Sequence, residues 1–299
     1  MGIIGALYER GHCRSQQEIP RRDDRGIPPF KNEGWAPGGL PRQDRRMAKF
    51  VSGSDESAGK TQRDNFFFGG WVGPEEDWSR FFAPAWQERV LDGPPAIPYL
   101  HMTEIRSSQW RAKYGISRLQ ADDRIDEALA VIDTMPTLYP VGLHVNAGHV
   151  RDKFAMSRVV ASTGAKKPFD PDYICFLGYA FFVLQYVASH YPEAEMVDFI
   201  IERKKHVTKY IQEFHSQLAL CLMALGEPSL SNLVGDLIPA GKERVPLQAA
   251  DVLCWHSCRP VEAMDQADIR RYAKLARRKG TQMELSDTDI DKMDAALTT

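Results

Sequence analysis

Acidic residues stand at the ends of several predicted elements of this chain, and together they could bind a divalent metal ion. Asp55 and Glu56 end the first predicted strand, and Glu104 and Glu202 follow two later ones. Asp251 lies inside an otherwise apolar predicted helix, where an unpaired carboxylate is costly and needs a salt bridge, another cation or a metal ion. Open α/β sheets place ligand sites at strand ends. The pattern predicts a metal site around Asp55.

Each acid also has a plainer interpretation. Taken alone, Asp55 is as typical of a turn cap as of a metal site. Glu104 is at least as typical of an acid that complements a helix N-terminus. The metal hypothesis therefore depends on whether the elements converge.

The strand period selects among neighbouring acids. Successive side chains of a strand point to opposite faces, so only one of Asp55 and Glu56 is expected in the site, and Asp55 shares its face with Gly53. Gly53 leaves room for a close neighbour. Asp198 and Glu202 share a face of a later strand but lie roughly 13 Å apart at the usual rise, so one metal centre takes one of them. Glu202 matches the depth of Asp55 if the two strands are parallel, which makes Glu202 the predicted ligand and Asp198 the reserve.

Two further clusters have alternative interpretations. Arg203, Lys204 and Lys205 open a predicted helix, where cations are electrostatically unfavourable; they form either a solvated surface turn or a basic patch facing an anion beside Glu202. The motif Cys254-x-His256-x-Cys258 suggests zinc, but helical spacing puts the two cysteines on one face and the histidine off it. With no second ligand pair nearby, buried core thiols are favoured.

The elements that must position these residues alternate along the chain, which predicts an α/β fold with a mixed sheet. The first two strands are separated by a polar loop, which favours an antiparallel pair. The predicted strands are residues 50–55, 66–72, 97–102, 139–145, 195–201 and 233–238, and the predicted helices are 74–91, 122–135, 173–189, 204–225, 246–258, 265–279 and 287–297.

Composition divides the 299 residues into three predicted parts. Residues 1–46 are rich in Pro, Gly and Arg without hydrophobic periodicity, which predicts a disordered N-terminal extension, with Met47 as an alternative translation start. Residues 47–260 form the predicted main domain, and 261–299 a C-terminal helical extension.

Charge and hydropathy exclude some classes. The formal net charge of −2 provides no global basic field, so any nucleic-acid contact needs a local basic patch. The five cysteines are an odd number in mostly apolar settings, which is typical of reduced thiols in a cytoplasmic protein, and no secretory signal is recognisable. The uncharged run 173–188 is too short for a membrane span and predicts a helix buried on all sides.

Five short motifs occur in an order that resembles the uncharacterised family called "domain of unknown function 3800" (DUF3800). They are Asp55-Glu56-Ser57, the Phe-rich segment 66–72, His101-Met102-Thr103-Glu104, Val197-Asp198-Phe199 leading to Glu202, and Leu247-Gln248-Ala249-Ala250-Asp251. The resemblance covers about residues 47–258. It departs where Ala58 intervenes before Gly59, and where Glu202 stands in place of an expected Asp.

The resemblance implies a ribonuclease H-like fold, with a mixed sheet flanked by helices on both faces. It also implies a two-metal nuclease or phosphodiesterase site in which Asp55, Glu202 and Asp251 hold Mg²⁺ or Mn²⁺, with Glu104 nearby, for phosphodiester cleavage in nucleic acid. The alternative is a non-catalytic binding module on the same fold, in a defence or mobile-element complex. The candidate substrate-binding residues are Glu56, His101, Lys204, Lys205 and Gln248.

Overall fold

The computed structural model describes residues 48–58, 65–154, 171–204, 207–224, 226–288 and 290–291. The predicted extension 1–46 and the candidate residue Lys205 lie outside the described residues.

Six strands of the described chain form one mixed sheet in the order β5-β4-β1-β2-β3-β6. The strands β1 and β2 form the predicted antiparallel hairpin, and β3 continues it antiparallel to β2. The strands β4 and β5 add in parallel beside β1, and β6 adds in parallel beside β3. The bounds are β1 Ala48–Ala58, β2 Asn65–Pro74, β3 Tyr139–Asn146, β4 Ala194–Glu202, β5 Val234–Ala240 and β6 Thr281–Leu285.

Ten helical elements connect the strands of the described chain. The first, α1, is a continuous run of four pieces, Glu75–Asp77, Trp78–Phe82, Ala83–Trp86 and Gln87–Leu91, of which the second and fourth are π-helical. The others are α2 Met102–Ile105, α3 Ser108–Tyr114, α4 Arg118–Asp133, α5 Ala147–Phe154, α6 Pro171–His190, α7 Val207–Ala224, α8 Pro228–Asn232, α9 Val245–Ser257 and α10 Gln266–Ala276, and a single 3₁₀ turn covers Val261–Ala263.

Helices cover both faces of the sheet, so the predicted α/β architecture is confirmed. Alternate strand residues point to opposite sides: Phe50 packs into one core with α6 and α7, and Val51 into the other with α1, α4 and α9. The apolar run at 173–188 lies within α6, most of whose described side chains are fully buried. No helix within the described ranges is long and apolar enough to cross a bilayer.

The predicted strand at residues 97–102 is wrong. This segment carries proline at 98 and gives its backbone N–H groups to other partners: Ile97 donates to the Leu91 carbonyl, and Leu100 to the Gln248 side chain. The chain therefore crosses α9 instead of extending the sheet, and it enters α2 at Met102.

The prediction of helices alone in residues 261–299 is also wrong. The five-residue strand β6 pairs with β3 from Val141 to Val145, and its Leu285 is buried in the core with α6. Its sequence TQMEL follows Gly280 but is short and mostly polar, so the strand depends on the open edge of β3 more than on local propensity.

Candidate metal centre

The parallel pairing of β1 and β4 brings Asp55 and Glu202 to the same level of the sheet. The last paired residues of the two strands are Ser54 and Ile201, and the two acids occupy the next positions. The two acids also lie on the same face of the sheet. By strand alternation Asp55 shares its face with Val51 and Glu202 shares its face with Ile200, and both Val51 and Ile200 pack into the core that contains α9. The predicted depth and face of both acids are thus observed.

Helix α9 lies directly on β1 because Gly53 has no side chain. A Cβ atom at Gly53 would come within 2.5 Å of Pro246 Cβ and 2.8 Å of the Pro246 carbonyl carbon, closer than real Cβ contacts. The Cys254 thiol then donates to the Asp55 carbonyl at 3.1 Å and to the Gly69 carbonyl at 3.3 Å. These contacts fix the face of α9 that carries Asp251 against the end of β1.

Asp251 and Asp55 meet in a pocket between β1, β4, α9 and the segment before α2. The Asp251 Oδ2 atom accepts a hydrogen bond from the backbone N–H of Met102. Its carboxyl group and that of Asp55 line the same pocket and are close enough for each to influence the pKa of the other. The pocket has a free volume of about 10 Å³, room for about one water-sized species, and is lined by Asp55, Leu100, His101, Glu202, Lys242, Leu247, Gln248 and Asp251.

Burial and mutual repulsion favour the protonated forms of these acids. Burial, and then the Glu202 carboxylate, raise the pKa of Asp55 to about 7. Burial and the neighbouring Asp55 raise the pKa of Asp251 well above its usual range. Burial also raises the pKa of Glu202, although the ammonium group of Lys242 opposes the shift. The pocket therefore holds more negative charge than its surroundings compensate.

The expectation that Glu56 stays out of the site is wrong. One carboxylate oxygen each of Asp55, Glu56 and Glu202 lies within 4.8 Å of the others, a spacing that a metal ion could bridge. The pairing of β1 with β4 reaches only to Ser54, and Glu202 is the last residue of β4. A long Glu side chain at this open end can turn around the edge toward the acids of the other face. Glu56 is thus a candidate ligand as well as a candidate substrate-binding residue.

Lys204 compensates part of this acidic cluster. Its ammonium group contacts the Glu56 carboxylate and lies 3.6 Å from Glu202 Oε2. Burial lowers the pKa of Lys204, while the Asp55 carboxylate acts in the opposite direction. The neighbouring Arg203 donates to the Pro239 carbonyl at 3.1 Å. Both described residues of the predicted basic patch are therefore already engaged.

Glu104 lies beside the pocket and is held by two donors. The Tyr99 hydroxyl donates to Glu104 Oε2 at 2.6 Å, and Lys242 Nζ lies 3.0 Å from Oε1. Although burial opposes it, these hydrogen bonds lower the pKa of Glu104. Glu104 is near enough to raise the pKa of Glu202, but it is not among the residues that line the pocket. Sequence reasoning missed Lys242, which stands in a short polar loop without any motif.

The two other candidate substrate-binding residues that line the pocket differ in character. His101 precedes α2, and burial, followed by the charge of Lys242, lowers its pKa to about 4. Its Nδ1 atom is buried without a hydrogen-bond partner. Gln248 is fully engaged instead: its Oε1 accepts from Trp86 Nε1 and the Leu100 N–H, both at 2.9 Å, and its Nε2 donates to the Glu243 carbonyl at 3.2 Å. These bonds indicate that Gln248 positions the pocket wall.

Asp198, the reserve ligand, has structural partners away from the pocket. Its Oδ2 atom lies 2.7 Å from Lys49 Nζ, and its Oδ1 accepts from the Asp236 N–H at 2.9 Å. Its carboxylate, which is 2 % exposed, therefore has both oxygens satisfied by β1 and β5. The choice of Glu202 over Asp198 agrees with this arrangement.

The cysteine pair of α9 is not arranged as a zinc site in the described residues. Cys254 and Cys258 are both buried, and the Cys254 thiol donates to backbone carbonyls. Burial raises the pKa of the Cys254 thiol well above its usual range, which keeps it protonated. His256 Nδ1 lies 2.8 Å from the Val252 carbonyl. The preference for core thiols thus agrees with the structure.

The donor set fits a hard divalent cation. Among the described residues, the acids with oxygens within 4.8 Å of one another are Asp55, Glu56 and Glu202, and Asp251 lines the same pocket as Asp55 without belonging to that group. All four offer carboxylate oxygens, which suit Mg²⁺ or Mn²⁺ better than zinc. Burial raises the pKa of Asp55 and Asp251, so a proton or a divalent ion would compensate the same negative charge. No family model, curated protein or solved structure matches this chain significantly.

Proposed function

We propose that the protein is a divalent-metal-dependent phosphodiester hydrolase, a nuclease or phosphodiesterase, whose centre is formed by Asp55, Glu202 and Asp251. The observation that carries the proposal is the convergence of two strand ends and one helix on a single pocket in which burial raises the pKa of all three acids. Such clustering of perturbed carboxyl groups in a cleft is typical of functional sites.

In this proposal Asp55, Glu202 and Asp251 hold Mg²⁺ or Mn²⁺, and Glu56 is a further candidate ligand at the rim. When bound, the ion supplies Lewis acidity toward the phosphate and lowers the pKa of water. The Met102 N–H fixes the Asp251 carboxylate. Gln248 fixes the wall by bonding both Trp86 and the chain at Leu100. These bonds preorganise the ligands before the ion and the substrate bind.

We further propose a ribonuclease H-like domain of the DUF3800 type, with nucleic acid as substrate. A mixed sheet that opens with an antiparallel hairpin and takes β4 in parallel beside β1 supports this assignment. Phosphodiesters are the substrates that carboxylate-held Mg²⁺ or Mn²⁺ commonly serves. The two-ion arrangement and the nucleic-acid partner stay predictions.

One observation favours the alternative, a non-catalytic binding module. Lys204 already neutralises Glu56 and Glu202, so that part of the acidic cluster is compensated without metal. A module of this kind would keep the acids as internal ion pairs and would bind Mg²⁺ or Mn²⁺ weakly.

Metal titration of matched variants tests the proposal. We expect Mn²⁺ to bind the wild type and raise its melting temperature, because binding to the folded state alone stabilises it. Glu202→Gln should lose this response with little change in the stability of the metal-free protein. Asp198→Asn should keep the response but lose about 1 kcal/mol of stability, since Lys49 and the Asp236 N–H lose a charged acceptor.

The same variants are then assayed on single- and double-stranded DNA and RNA. Mn²⁺-dependent cleavage by the wild type and not by Glu202→Gln supports the proposed function. If the wild type shows no Mn²⁺ response, or if Asp198→Asn loses the response while Glu202→Gln keeps it, the assigned centre is wrong. Metal binding without cleavage of any of the four substrates favours the binding module.

A further inference from the structure

We infer that Lys242 is the residue of this pocket that contacts the phosphate of the substrate, and that Glu104 and Tyr99 position it. The inference rests on the proposed phosphodiesterase function and extends it to a residue outside the predicted motifs. It follows from the charges around the pocket, from the engagement of the other cations and from the fixation of the loop that carries Lys242.

A phosphodiester is an anion, and the pocket offers it several carboxyl groups. Asp55, Glu202 and Asp251 line the pocket, so a phosphate needs positive charge there besides any metal ion. Among the described lining residues, Lys242 supplies the cationic side chain, because His101 is neutral near pH 7. Its charge acts on all three acids, since it lowers the pKa of Asp55, Glu202 and Asp251 against the effect of burial.

The other cations near the site in the described part of the chain are more fully engaged. The ammonium group of Lys204 lies between the two carboxylates of Glu56 and Glu202, and Arg203 donates to a backbone carbonyl of β5. Among the described residues, Lys242 contacts the one carboxylate of Glu104. An ammonium group carries three donors, so one hydrogen bond to Glu104 leaves donors for a phosphate oxygen. Its side chain is 33 % exposed, which keeps it accessible from solvent.

Glu104 serves as the support of Lys242 in this arrangement. Its Oε2 atom accepts from the Tyr99 hydroxyl, which fixes the carboxylate, and its Oε1 faces Lys242. A carboxylate with both oxygens held by donors is a better anchor for an ammonium group than a metal ligand. Glu104 is therefore a positioning residue rather than a member of the ligand set.

The loop that carries Lys242 is fixed at both ends. The Arg244 N–H donates to the Gly241 carbonyl at 3.1 Å, and Gln248 Nε2 donates to the Glu243 carbonyl at 3.2 Å. The loop continues directly into α9, the helix that carries Asp251. The ammonium group and the ligand are thus held by one short stretch of chain, which preorganises the charge toward the reacting phosphate.

The test compares the wild type with Lys242→Met, which keeps the length of the side chain and removes its charge. The matched control is Lys274→Met on α10, an exposed lysine outside the pocket. With bis(p-nitrophenyl) phosphate and Mn²⁺, we expect Lys242→Met to lower kcat/KM about 100-fold, the order of effect of removing one donor to a developing oxyanion. Lys242→Arg should restore most of that loss, and Lys274→Met should behave as wild type.

Mn²⁺ affinity, measured calorimetrically, separates this role from a structural one. Removing a positive charge beside the acids should leave the Mn²⁺ Kd unchanged or lower it. The loss of catalysis should therefore occur without any loss of metal affinity. Glu104→Gln should also keep Mn²⁺ binding while lowering kcat/KM by about tenfold, since its amide holds the ammonium group less firmly.

Several results would overturn the inference. Wild-type kcat/KM in Lys242→Met, or a loss of Mn²⁺ binding in that variant, contradicts a phosphate contact. If the wild type binds Mn²⁺ but does not hydrolyse the probe, affinity for a short end-labelled DNA decides: equal affinity of wild type and Lys242→Met contradicts the inference, and weaker binding by the variant supports it. A wild type that binds no Mn²⁺ overturns the proposed function itself, and the inference with it.

Discussion

Asp251 is an acid that apolar neighbours on α9 cannot accommodate by themselves. The Met102 N–H donates to its carboxyl group, while burial and the neighbouring Asp55 raise its pKa. The same burial makes a second negative charge costly, so the pair retains a proton or takes a cation. This single residue thus links the stability of the fold to the occupancy of the site.

Asp251→Asn should stabilise the metal-free protein and abolish its response to metal. The Asn oxygen can still accept from the Met102 N–H, and the neutral amide removes the repulsion between residue 251 and Asp55. We expect the metal-free variant to gain roughly 1–2 kcal/mol near neutral pH. Thermal melts with chelator and with Mn²⁺ check both effects. A variant destabilised by about 3 kcal/mol or more would show that Asp251 is a structural ion-pair partner instead.

The pH dependence of stability should follow the same pair of acids. The pKa of Asp55 rises from 3.8 in an ordinary setting to about 7 in the folded protein, so the folded state binds the proton more tightly. The resulting stabilisation is fully present below the unfolded pKa and is lost as the pH rises through about 7. The buried histidines His101 and His144, whose pKa is lowered to about 4, act in the opposite direction over part of this range, so the measurement needs a matched variant. Urea unfolding at about pH 5 and about pH 8 should show that the metal-free wild type loses more stability, or gains less, with rising pH than Asp55→Asn, and saturating Mn²⁺ should reduce the difference. The same pH dependence in wild type and Asp55→Asn would contradict the assigned shift.

At the level of elements, the site depends on the contact between β1 and α9. The contact is possible because Gly53 leaves room for Pro246 and because the Cys254 thiol reaches the carbonyls of β1 and β2. The indole of Trp71 adds a hydrogen bond to the Ala249 carbonyl at 3.0 Å. Together these contacts set the separation between Asp55 and Asp251.

Gly53→Ala should therefore damage both the fold and the site. The new Cβ atom would lie 2.5 Å from Pro246 Cβ, so α9 must move away from β1. We expect a loss of about 1–3 kcal/mol from this overpacking, together with weaker Mn²⁺ binding. Gly73→Ala is the control, because its Cβ atom would meet the flexible end of Leu138 outside the pocket. Equal Mn²⁺ affinity in Gly53→Ala and wild type would show that metal binding does not depend on the contact between β1 and α9.

Sequence reasoning succeeded where periodicity and chain order decide the result. Alternation along β1 and β4 placed Asp55 and Glu202 on one face, and the apolar surroundings of Asp251 marked it as an acid in need of a partner. Sequence reasoning did not predict that Lys242 lines the pocket, or that the Glu56 carboxylate approaches those of Asp55 and Glu202. Both features depend on tertiary contacts at the sheet edge. No local pattern distinguishes a loop lysine that faces a pocket from one that faces solvent.

The segment 97–102 failed for a related reason. Its apolar residues are typical of a short strand, but the N–H groups of Leu100 and Met102 bind the side chains of Gln248 and Asp251. The hydrogen-bond partners of this segment lie on a helix about 150 residues later in the chain. Local β-propensity contains no information about such a distant partner.

For the molecule as a whole, the C-terminal segment belongs to the packing of the main sheet. The buried guanidinium of Arg271 binds Asp122, Asp126 and Asp268, which fixes α10 to α4. Arg278 donates to the carbonyl of Ile132 in the last turn of α4 and to those of Met135 and Leu138 just after it. The chain beyond residue 260 thus holds the connection that leads into β3.

Two truncations test this organisation and the predicted domain boundaries together. A chain that ends at Pro260 loses β6, the Arg271 ion pairs and the buried side chains of Leu275, Leu285 and Ile290. Each large aliphatic side chain contributes about 1.5–3 kcal/mol when buried, so the loss approaches the whole stability of a typical domain, about 5–15 kcal/mol. We expect this chain not to melt cooperatively.

A chain that begins at Met47 should keep the full-length melting temperature, because residues 1–46 have no apolar period. A Pro260 chain that melts at the full-length temperature would restore the predicted boundary at residue 260, and a drop of many degrees in the Met47 chain would show that the leader packs on the domain.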